Sequence, residues 1–344
     1  MHMADALISP EVGIVMWAAT AGVAAYSIKK VSPEMDDKKV PLMGVMGAFI
    51  FAAQMINFSI PGTGSSGHLS GGILLAALLG PYAGFLTLFS VIVVQGLFFA
   101  DGGLLAMGAN AFNMGFYACF IAYPLIMKLI LKKGTSTRRI FWGSLLSSVA
   151  ALQMGAFSVV MQTLLSGKTE LPFATFVSLM QPIHLAIGVV EGLVTAAIVS
   201  FVWKARPDII EGAMLKRSID RKPLKKVIIV LIVAALAVGG FFSWFASSNP
   251  DGLEWSMLNT SGQEELVADD GVHSSIAETQ EKIAFLPDYG FREQDAAGAE
   301  SAEAASGNAG TSVSGIVGAA ITLVLAGLIG LFVVLSRKRS KKQA

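Results

Sequence analysis

The feature that most constrains this chain is a succession of apolar runs of membrane-spanning length, at roughly 9–28, 41–59, 71–99, 104–131, 140–165, 178–203, 226–246 and 314–335. A spanning helix takes about 17–25 residues. The run 71–99 holds Gly80-Pro81, a helix break. It therefore divides into a short helix near 69–79 and another near 82–99, which makes nine segments. Composition agrees: 54% of residues are hydrophobic and 14% charged, with mean hydropathy +0.65, whereas soluble domains carry roughly 25% charged residues. The expected fold is an all-α polytopic membrane protein, a seven-helix bundle followed by a two-helix hairpin with an extracytoplasmic loop.

Basic residues test the count, because cytoplasmic loops are enriched in Lys and Arg. With the amino terminus outside and nine segments threaded, 22 of the 25 basic residues fall inside and only Lys168, Lys282 and Arg292 outside. Without the break at Gly80-Pro81 the basic loops would alternate sides. The charge pattern places the protein in the cell membrane, multi-pass, with an extracytoplasmic amino terminus and a cytoplasmic carboxyl terminus.

Three regions follow: a transmembrane bundle over 1–205, a basic cytoplasmic linker over 206–226, and a hairpin over 227–344 whose helices flank the external loop 247–313. The first part of that loop, from Ser248 to Ser256, has turn and capping residues and Trp255 as an aromatic anchor. Its second part, around Gln294–Thr311, is rich in Ala, Gly, Ser and Glu and reads as flexible linker. From Asp251 to Glu303 there are 13 acidic and 2 basic residues, a net of −11. That charge suits either a cation-attracting vestibule or a solubilising loop.

The opening, Met1-His2-Met3-Ala4-Asp5, lacks the basic flank and cleavage site of a removable signal, and the nearest lysine is Lys29. It has the makings of a chelate. The Met1 amine, the deprotonated backbone nitrogen of His2 and Nδ1 of the His2 ring can close a five- and a six-membered ring around one ion. Three nitrogens in a plane point to Ni(II) or Cu(II) before Zn(II). Position alone leaves this open against a frayed terminus. The single cysteine, Cys119, lies in an apolar run, which excludes a disulfide framework or a Cys-rich metal site.

Polar side chains within the apolar runs are Gln54, Asn57, Asp101, Asn110, Asn113, Gln153, Gln162, Gln181, His184 and Glu191. Such groups face a cavity or a partner helix, either as site residues or as interhelical hydrogen-bonding glue. His68 is different. It ends the Gly-rich external loop from Pro61 to Gly67, on the same side as the amino terminus, and is the fourth nitrogen best placed for the chelate. No phosphate-binding loop is present: Ser166-Gly167-Lys168-Thr169 lacks the required upstream glycine, which is Gln162. Any pumping therefore needs a separate ATPase, and no nucleic-acid partner is expected. A distant alternative is an intramembrane serine protease using Ser66, in Gly64-Ser65-Ser66-Gly67, with His184. A channel would need rings of charge or carbonyls, of which the sequence gives little sign.

These motifs together resemble a known family. The opening through Ile8-Ser9-Pro10, the Gly-rich loop ending in His68, Gly108-Ala109-Asn110-Ala111-Phe112-Asn113-Met114-Gly115 and Gln181-Pro182-Ile183-His184 through Glu191-Gly192-Leu193 are similar to the substrate-binding (S) component of nickel/cobalt energy-coupling-factor (ECF) transporters, NikM/CbiM type. Residues 227–344, with Pro250-Asp251-Gly252-Leu253-Glu254 and Pro287-Asp288-Tyr289-Gly290-Phe291, resemble the PDGLE (NikN-like) companion domain often fused to nickel versions. The resemblance implies capture of extracytoplasmic Ni2+, alternatively Co2+, by Met1, His2 and His68. It implies Asp5, Asn110, Asn113 and His184 as supporting groups, and a chain that is a transport component rather than an enzyme. The implied partners are a transmembrane coupling subunit (EcfT/NikQ-like) and ABC ATPase subunits (EcfA/NikO-like), within membrane lipid. Small residues at four-residue spacing on the first helix, Ala18…Gly22 and Ala21…Ala25, suit close packing either on the coupling subunit or inside the bundle.

Overall fold

The computed structural model describes residues 2–31, 38–215, 224–268, 271–292 and 303–343, with backbone alone at 303–307 and 338–343. In chain order the helices are α1 (Pro10–Val31), α2 (Lys39–Gln54), α3 (Gly72–Leu79), α4 (Pro81–Phe98), α5 (Met107–Leu131), α6 (Thr137–Leu165), α7 (Phe173–Ala205), α8 (Pro207–Leu215), α9 (Lys225–Gly240), α10 (Gly252–Ser261), α11 (Gly271–Ile283) and α12 (Glu303–Gln343). A helix stands at each of the nine apolar segments. Among the described residues, α1, α4, α5, α6, α7 and Asn308–Arg337 of α12 are long and apolar enough to cross a membrane. The chain is an all-α polytopic membrane protein.

The break at Gly80-Pro81 falls where the residues require it. Gly80 takes φ +84°, which a side chain disfavours, and Pro81 opens α4 at the position where its missing N–H costs nothing. The preceding α3 has 8 residues, about 12 Å at 1.5 Å per residue, and so does not span alone. Every residue of it is buried, so its short ends meet protein rather than lipid. Before it, the Gly-rich loop forms a small antiparallel ribbon, β1 (Phe58–Ile60) on β2 (Ser65–Gly67), with Phe58 opposite Gly67. Within α5, Phe112–Met127 is π-helical and contains Pro124, whose lack of an N–H leaves a gap in any helical ladder.

The central element is α2, whose buried residues lie on all its faces. The bundle covers one side, and α9 and α12 lie against the other. At Gly44 a Cβ would lie 2.8 Å from the Leu323 carbonyl oxygen, so only glycine permits this approach of backbones. The hairpin is thus packed onto the bundle through α2. By contrast Ala18, Ala21, Gly22 and Ala25 of α1 are all exposed, and a Cβ at Gly22 would meet nothing within 4 Å. This small-residue face therefore does not pack against the described residues.

One expectation about the loop changes. The flexible linker read over Gln294–Thr311 overlaps α12, which is helical from Glu303. Alanine, frequent there, has the strongest helix propensity, and the long apolar segment that follows extends the helix back through it. Residues 294–302 lie outside the described residues.

Candidate metal centre

One end of the bundle gathers all four histidines of the chain. Residues 2–9 form a tail folded into this end, held by side chains far along the sequence. Asn110, in the first turn of α5, clamps Met3 in both directions: Met3 N donates to Asn110 Oδ1 at 2.7 Å and Asn110 Nδ2 donates to the Met3 carbonyl at 3.1 Å. Gly103 N adds a second donor to that carbonyl at 2.9 Å. Asn113, one turn further on the same face, exchanges two amide hydrogen bonds with Gln162, at 2.8 and 2.9 Å, and lies 3.7 Å from the Met3 sulfur. Asp5 Oδ1 accepts from Ala106 N at 2.8 Å, which puts a carboxylate at the start of α5, where the helix dipole favours it.

This clamp sets His2 beside His68. Their ring centroids are 5.0 Å apart and their planes 11° from parallel. With metal–nitrogen bonds of about 2.0–2.1 Å, two imidazoles on one ion have centroids about 4.5 Å apart at a right angle and about 6.4 Å when opposed. The observed separation lies between these limits. Burial pushes both rings' pKa down to about 3, so both are neutral at physiological pH, the form that binds metal. His68 Nδ1 lies 3.1 Å from the Leu69 carbonyl. A carbonyl only accepts, so Nδ1 carries the proton and Nε2 keeps its lone pair.

Each histidine faces a carboxylate. His2 Nδ1 is 3.1 Å from Asp101 Oδ1, and His68 Nε2 is 3.7 Å from Asp251 Oδ2. Both carboxylates depend on the hairpin half. Tyr289 donates its hydroxyl to Asp101 Oδ2, and Gln280 of α11 donates to the carbonyls of Gly96 at 2.9 Å and Gly102 at 2.8 Å, fixing the loop that carries Asp101. His273 of α11 also reaches the tail, its Nε2 lying 3.0 Å from the Asp5 carbonyl and 2.9 Å from that of Ile8.

Asp251 belongs to the turn Pro250-Asp251-Gly252-Leu253-Glu254, each residue of which has a task. The Pro250 carbonyl accepts from Ser66 N on β2 at 2.8 Å. Asp251 Oδ1 caps α10, accepting from Leu253 N at 2.7 Å and Glu254 N at 3.0 Å, and Glu254 Oε2 answers by accepting from Asp251 N at 2.7 Å. This capping box satisfies otherwise orphaned helix donors. Gly252 packs so closely that a Cβ there would lie 3.0 Å from Ile187, 3.1 Å from Ile183 and 3.2 Å from His184 Cε1. Leu253 is buried in the core. Burial and then the neighbouring Asp251 charge push the Glu254 carboxyl up to about 7.

The histidine pair stands between two spaces. Outside it, a cavity of about 770 Å³ is lined by Asp5, Asp101, Asp251, Asp288, Glu254, Glu264 and Glu265, with no lysine or arginine among its described lining. This suits the vestibule reading of the acidic loop. Inside it, a small cavity of about 10 Å³ is lined by His68, Asp251, Ser70, Met114 and His184, among others, room for about one water-sized particle. His184 Nδ1 lies 2.8 Å from the Met180 carbonyl, and its Nε2 is buried with no hydrogen-bond partner among the described residues. Below, Glu191 accepts from the backbone and hydroxyl of Ser70 at 2.7–2.8 Å.

Of the residues singled out from sequence, His2, His68, Asp5, Asn110 and Asn113 converge here, while Met1 lies outside the described residues. His184 touches neither site histidine by a hydrogen bond but shares the inner cavity with His68. The protease pair does not assemble: Ser66 donates its hydroxyl to the Asn249 carbonyl at 2.8 Å, and His184 is engaged at Met180. Gln153 and Gln181 pair with each other's carbonyls between α6 and α7 and serve as helix glue. Among the described residues no three His, Cys, Asp or Glu side chains form a metal cluster. A chelate with two backbone nitrogens presents no such cluster. The partners missed from sequence were Tyr289, Gln280 and His273, together with Asp251 as a neighbour of His68. Asp-Gly-x-Glu is legible as a capping box, but nothing in it names a partner nearly two hundred residues away.

A family profile described as the cobalt uptake substrate-specific transmembrane region (CbiM) matches residues 2–209, and one for the PDGLE domain matches 225–335. A provisionally named fused nickel transport protein, NikMN, of Archaeoglobus fulgidus is 34% identical over 247 residues, 72% of this chain and 77% of that protein. A provisionally named metal transport protein of Haloquadratum walsbyi is 32% identical over 212 residues, 61% of this chain and 93% of that protein. A crystal structure of a truncated transition metal transporter superposes with TM-score 0.52 at 33% identity, covering 60% of this chain and 99% of that one.

Proposed function

The chain belongs to the CbiM family of cobalt-uptake substrate-specific transmembrane proteins, and on that premise we propose that it captures extracytoplasmic Ni2+ as the substrate-specific component of an ECF-type ABC transporter and delivers it to the cytoplasm. ATP hydrolysis comes from partner ATPase subunits, through a transmembrane coupling subunit. Residues 1–205 are the capture bundle, 206–226 the cytoplasmic linker and 227–344 the companion domain, with the site on the extracytoplasmic side, where the fewest basic residues lie.

The observation that carries this reading is the pair of neutral, buried imidazoles, His2 on the tail clamped through Met3 and His68 beside it, with ring centroids 5.0 Å apart. With Met1 as the terminal residue, its amine, the His2 backbone nitrogen and ring, and His68 make a four-nitrogen set. Such a set favours Ni(II) over Co(II) by the general order of divalent affinities and by its planar preference. The fused nickel transport relative favours nickel as well. Cobalt is the second reading, favoured by the family's own description. The exposed small-residue face of α1 leaves one surface for the coupling subunit.

The test is metal accumulation in cells without other nickel or cobalt uptake that express this chain with its coupling and ATPase subunits. Accumulation of nickel above cobalt, lost when the ATPase is inactivated, is the expected result. Metal entry unaffected by ATPase inactivation contradicts the coupled mechanism, and cobalt in excess of nickel transfers the reading to cobalt.

A further inference from the structure

We propose that Gln95 is a positioning residue of the metal site: its side-chain carbonyl accepts the Nε2–H of His2 when Nδ1 is given to the ion, so that Asp101 and Gln95 hold alternate tautomers of one ring. The inference rests on the proposed function and names the group that fixes His2 in its ligating form.

A neutral imidazole carries one proton shared between two nitrogens. Asp101 Oδ1 lies 3.1 Å from His2 Nδ1, and a carboxylate only accepts, so this contact puts the proton on Nδ1. The terminal chelate requires the opposite, because there Nδ1 offers its lone pair to the ion. Loading therefore exchanges one tautomer for the other: Nδ1 releases a proton to solvent, Nε2 takes one up, and the ring stays neutral. A ligating histidine needs an acceptor for its other ring N–H, which orients the ring and raises its basicity. The side chains expected to support the site are occupied elsewhere. Asn110 holds Met3, Asn113 pairs with Gln162, Asp5 accepts from Ala106 and His184 is engaged at Met180.

Gln95 fits the requirement. It is fully buried in the last turn of α4, and its backbone carbonyl accepts from Phe99 N at 3.0 Å and Asp101 N at 3.2 Å, which ties it to the loop beside His2. Its Nε2 lies 3.2 Å from the Tyr289 hydroxyl. That hydroxyl spends its one hydrogen on Asp101 Oδ2, so toward Gln95 it only accepts, and the amide presents its NH2 there. The orientation of the amide is thereby set, with Oε1 on the other side. Gln95 Oε1 and His2 Nε2 are both buried, and neither has a hydrogen-bond partner among the described residues. The Gln95 side chain nevertheless acts on the His2 ring and favours its protonated form, as an oxygen turned toward it does and an NH2 would not. The two atoms stand short of hydrogen-bonding geometry while Asp101 holds Nδ1, and they pair once Nδ1 turns to the ion. Pairing them relieves the cost of two buried polar atoms left without partners.

The competing account is that Gln95 only fastens Tyr289 and the loop of Asp101. Two variants separate the accounts. Gln95→Met keeps the length of the side chain and removes both the acceptor and the donor. Gln95→Glu keeps an oxygen acceptor for Nε2–H and removes the NH2 given to Tyr289. The full chain with its native start, isotopically labelled at histidine nitrogen, and both variants are titrated with Ni(II). Affinity, melting temperature and the ring nitrogen signals of His2 are read by calorimetry and NMR, four planar nitrogens giving diamagnetic Ni(II) that leaves those signals sharp.

In the unchanged chain the His2 proton is expected on Nδ1 without nickel and on Nε2 with it, the loaded Nε2–H shifted as a hydrogen-bonded donor. Gln95→Met should weaken binding by about 10–100-fold and move the loaded Nε2–H to its unbonded position, while Gln95→Glu keeps affinity within about tenfold of the unchanged chain, below that loss. The proposal is overturned if Gln95→Met binds like the unchanged chain, or if both variants lose affinity equally. Should Gln95→Met fail to fold, the unchanged chain decides: a loaded Nε2–H free of hydrogen bonding overturns the proposal, and a bonded one upholds it. Nickel held through Nε2 with Nδ1 still protonated overturns the terminal chelate as well, as does no binding at all. Chelation through Nδ1 that is indifferent to Gln95→Met overturns this proposal alone.

Discussion

The two halves of the molecule meet at the site with different chemistry. The bundle brings nitrogen: His2 on a tail clamped by Asn110, and His68 at the end of the Gly-rich ribbon. The hairpin half brings carboxylate charge and control: Asp251 of the Pro250–Glu254 turn beside His68, and the Tyr289 hydroxyl that holds the bundle's Asp101. Nitrogen donors select among divalent ions by softness and geometry, while carboxylates attract any cation. Under the proposed function, the contrast assigns selectivity to the bundle and most of the acidic lining of the outer cavity to the companion, which supplies Asp251, Glu254, Glu264, Glu265 and Asp288 beside the bundle's Asp5 and Asp101.

The contrast breaks if companion variants match bundle variants in severity. The largest effect is expected from His68→Ala, which removes a nitrogen without touching the hairpin. Nickel affinity should fall by more than about 100-fold, above the range for groups that only support a ligand, and a change under tenfold by calorimetric titration would remove His68 from the site. Asn110→Ala comes next. It leaves the Met3 N–H without its side-chain partner, at a cost of about 1–3 kcal/mol. Hydrogen exchange should then rise across residues 2–9 and affinity drop by about 10–100-fold. Exchange unchanged from the native chain would show that the clamp is not what seats the tail.

Two smaller effects sharpen the companion's side. Gly252→Ala forces a methyl within 3.0–3.2 Å of Ile187, Ile183 and His184, and overpacking of this kind costs about 1–3 kcal/mol. The melting temperature should fall, and nickel binding should weaken as the turn beside His68 shifts. Tyr289→Phe removes one hydroxyl from Asp101, a neighbour of His2 rather than part of the tail's clamp, and should weaken binding by less than Asn110→Ala does. A larger loss than from Asn110→Ala would reverse the assignment of roles.

What the sequence made legible follows from locality. Apolar runs and Gly80-Pro81 report on the residues that carry them, and the helices fall where these signals put them, α3 and α4 meeting across Gly80. Asn110 and Asn113 were legible as one face of a helix because three-residue spacing is a local fact. The pairings that make the site are not local. His273 meets Asp5 and Ile8 across more than 260 positions, and Tyr289 meets Asp101 across 188. No periodicity encodes such contacts. They arise because the hairpin packs on α2, whose burial on all faces the sequence shows only as one more apolar run. Asp251 was readable as a helix cap and unreadable as a neighbour of His68 for the same reason.

The most direct test of the central claim compares Ni(II) titration of the chain beginning at Met1 with that of the same chain carrying one additional residue ahead of it. The extension leaves every side chain in place and destroys only the amine–amide–imidazole geometry. Tight binding of one Ni(II) by the first form and loss of it in the second is the predicted result. Equal binding by both would contradict the terminal chelate and move the metal to side chains alone.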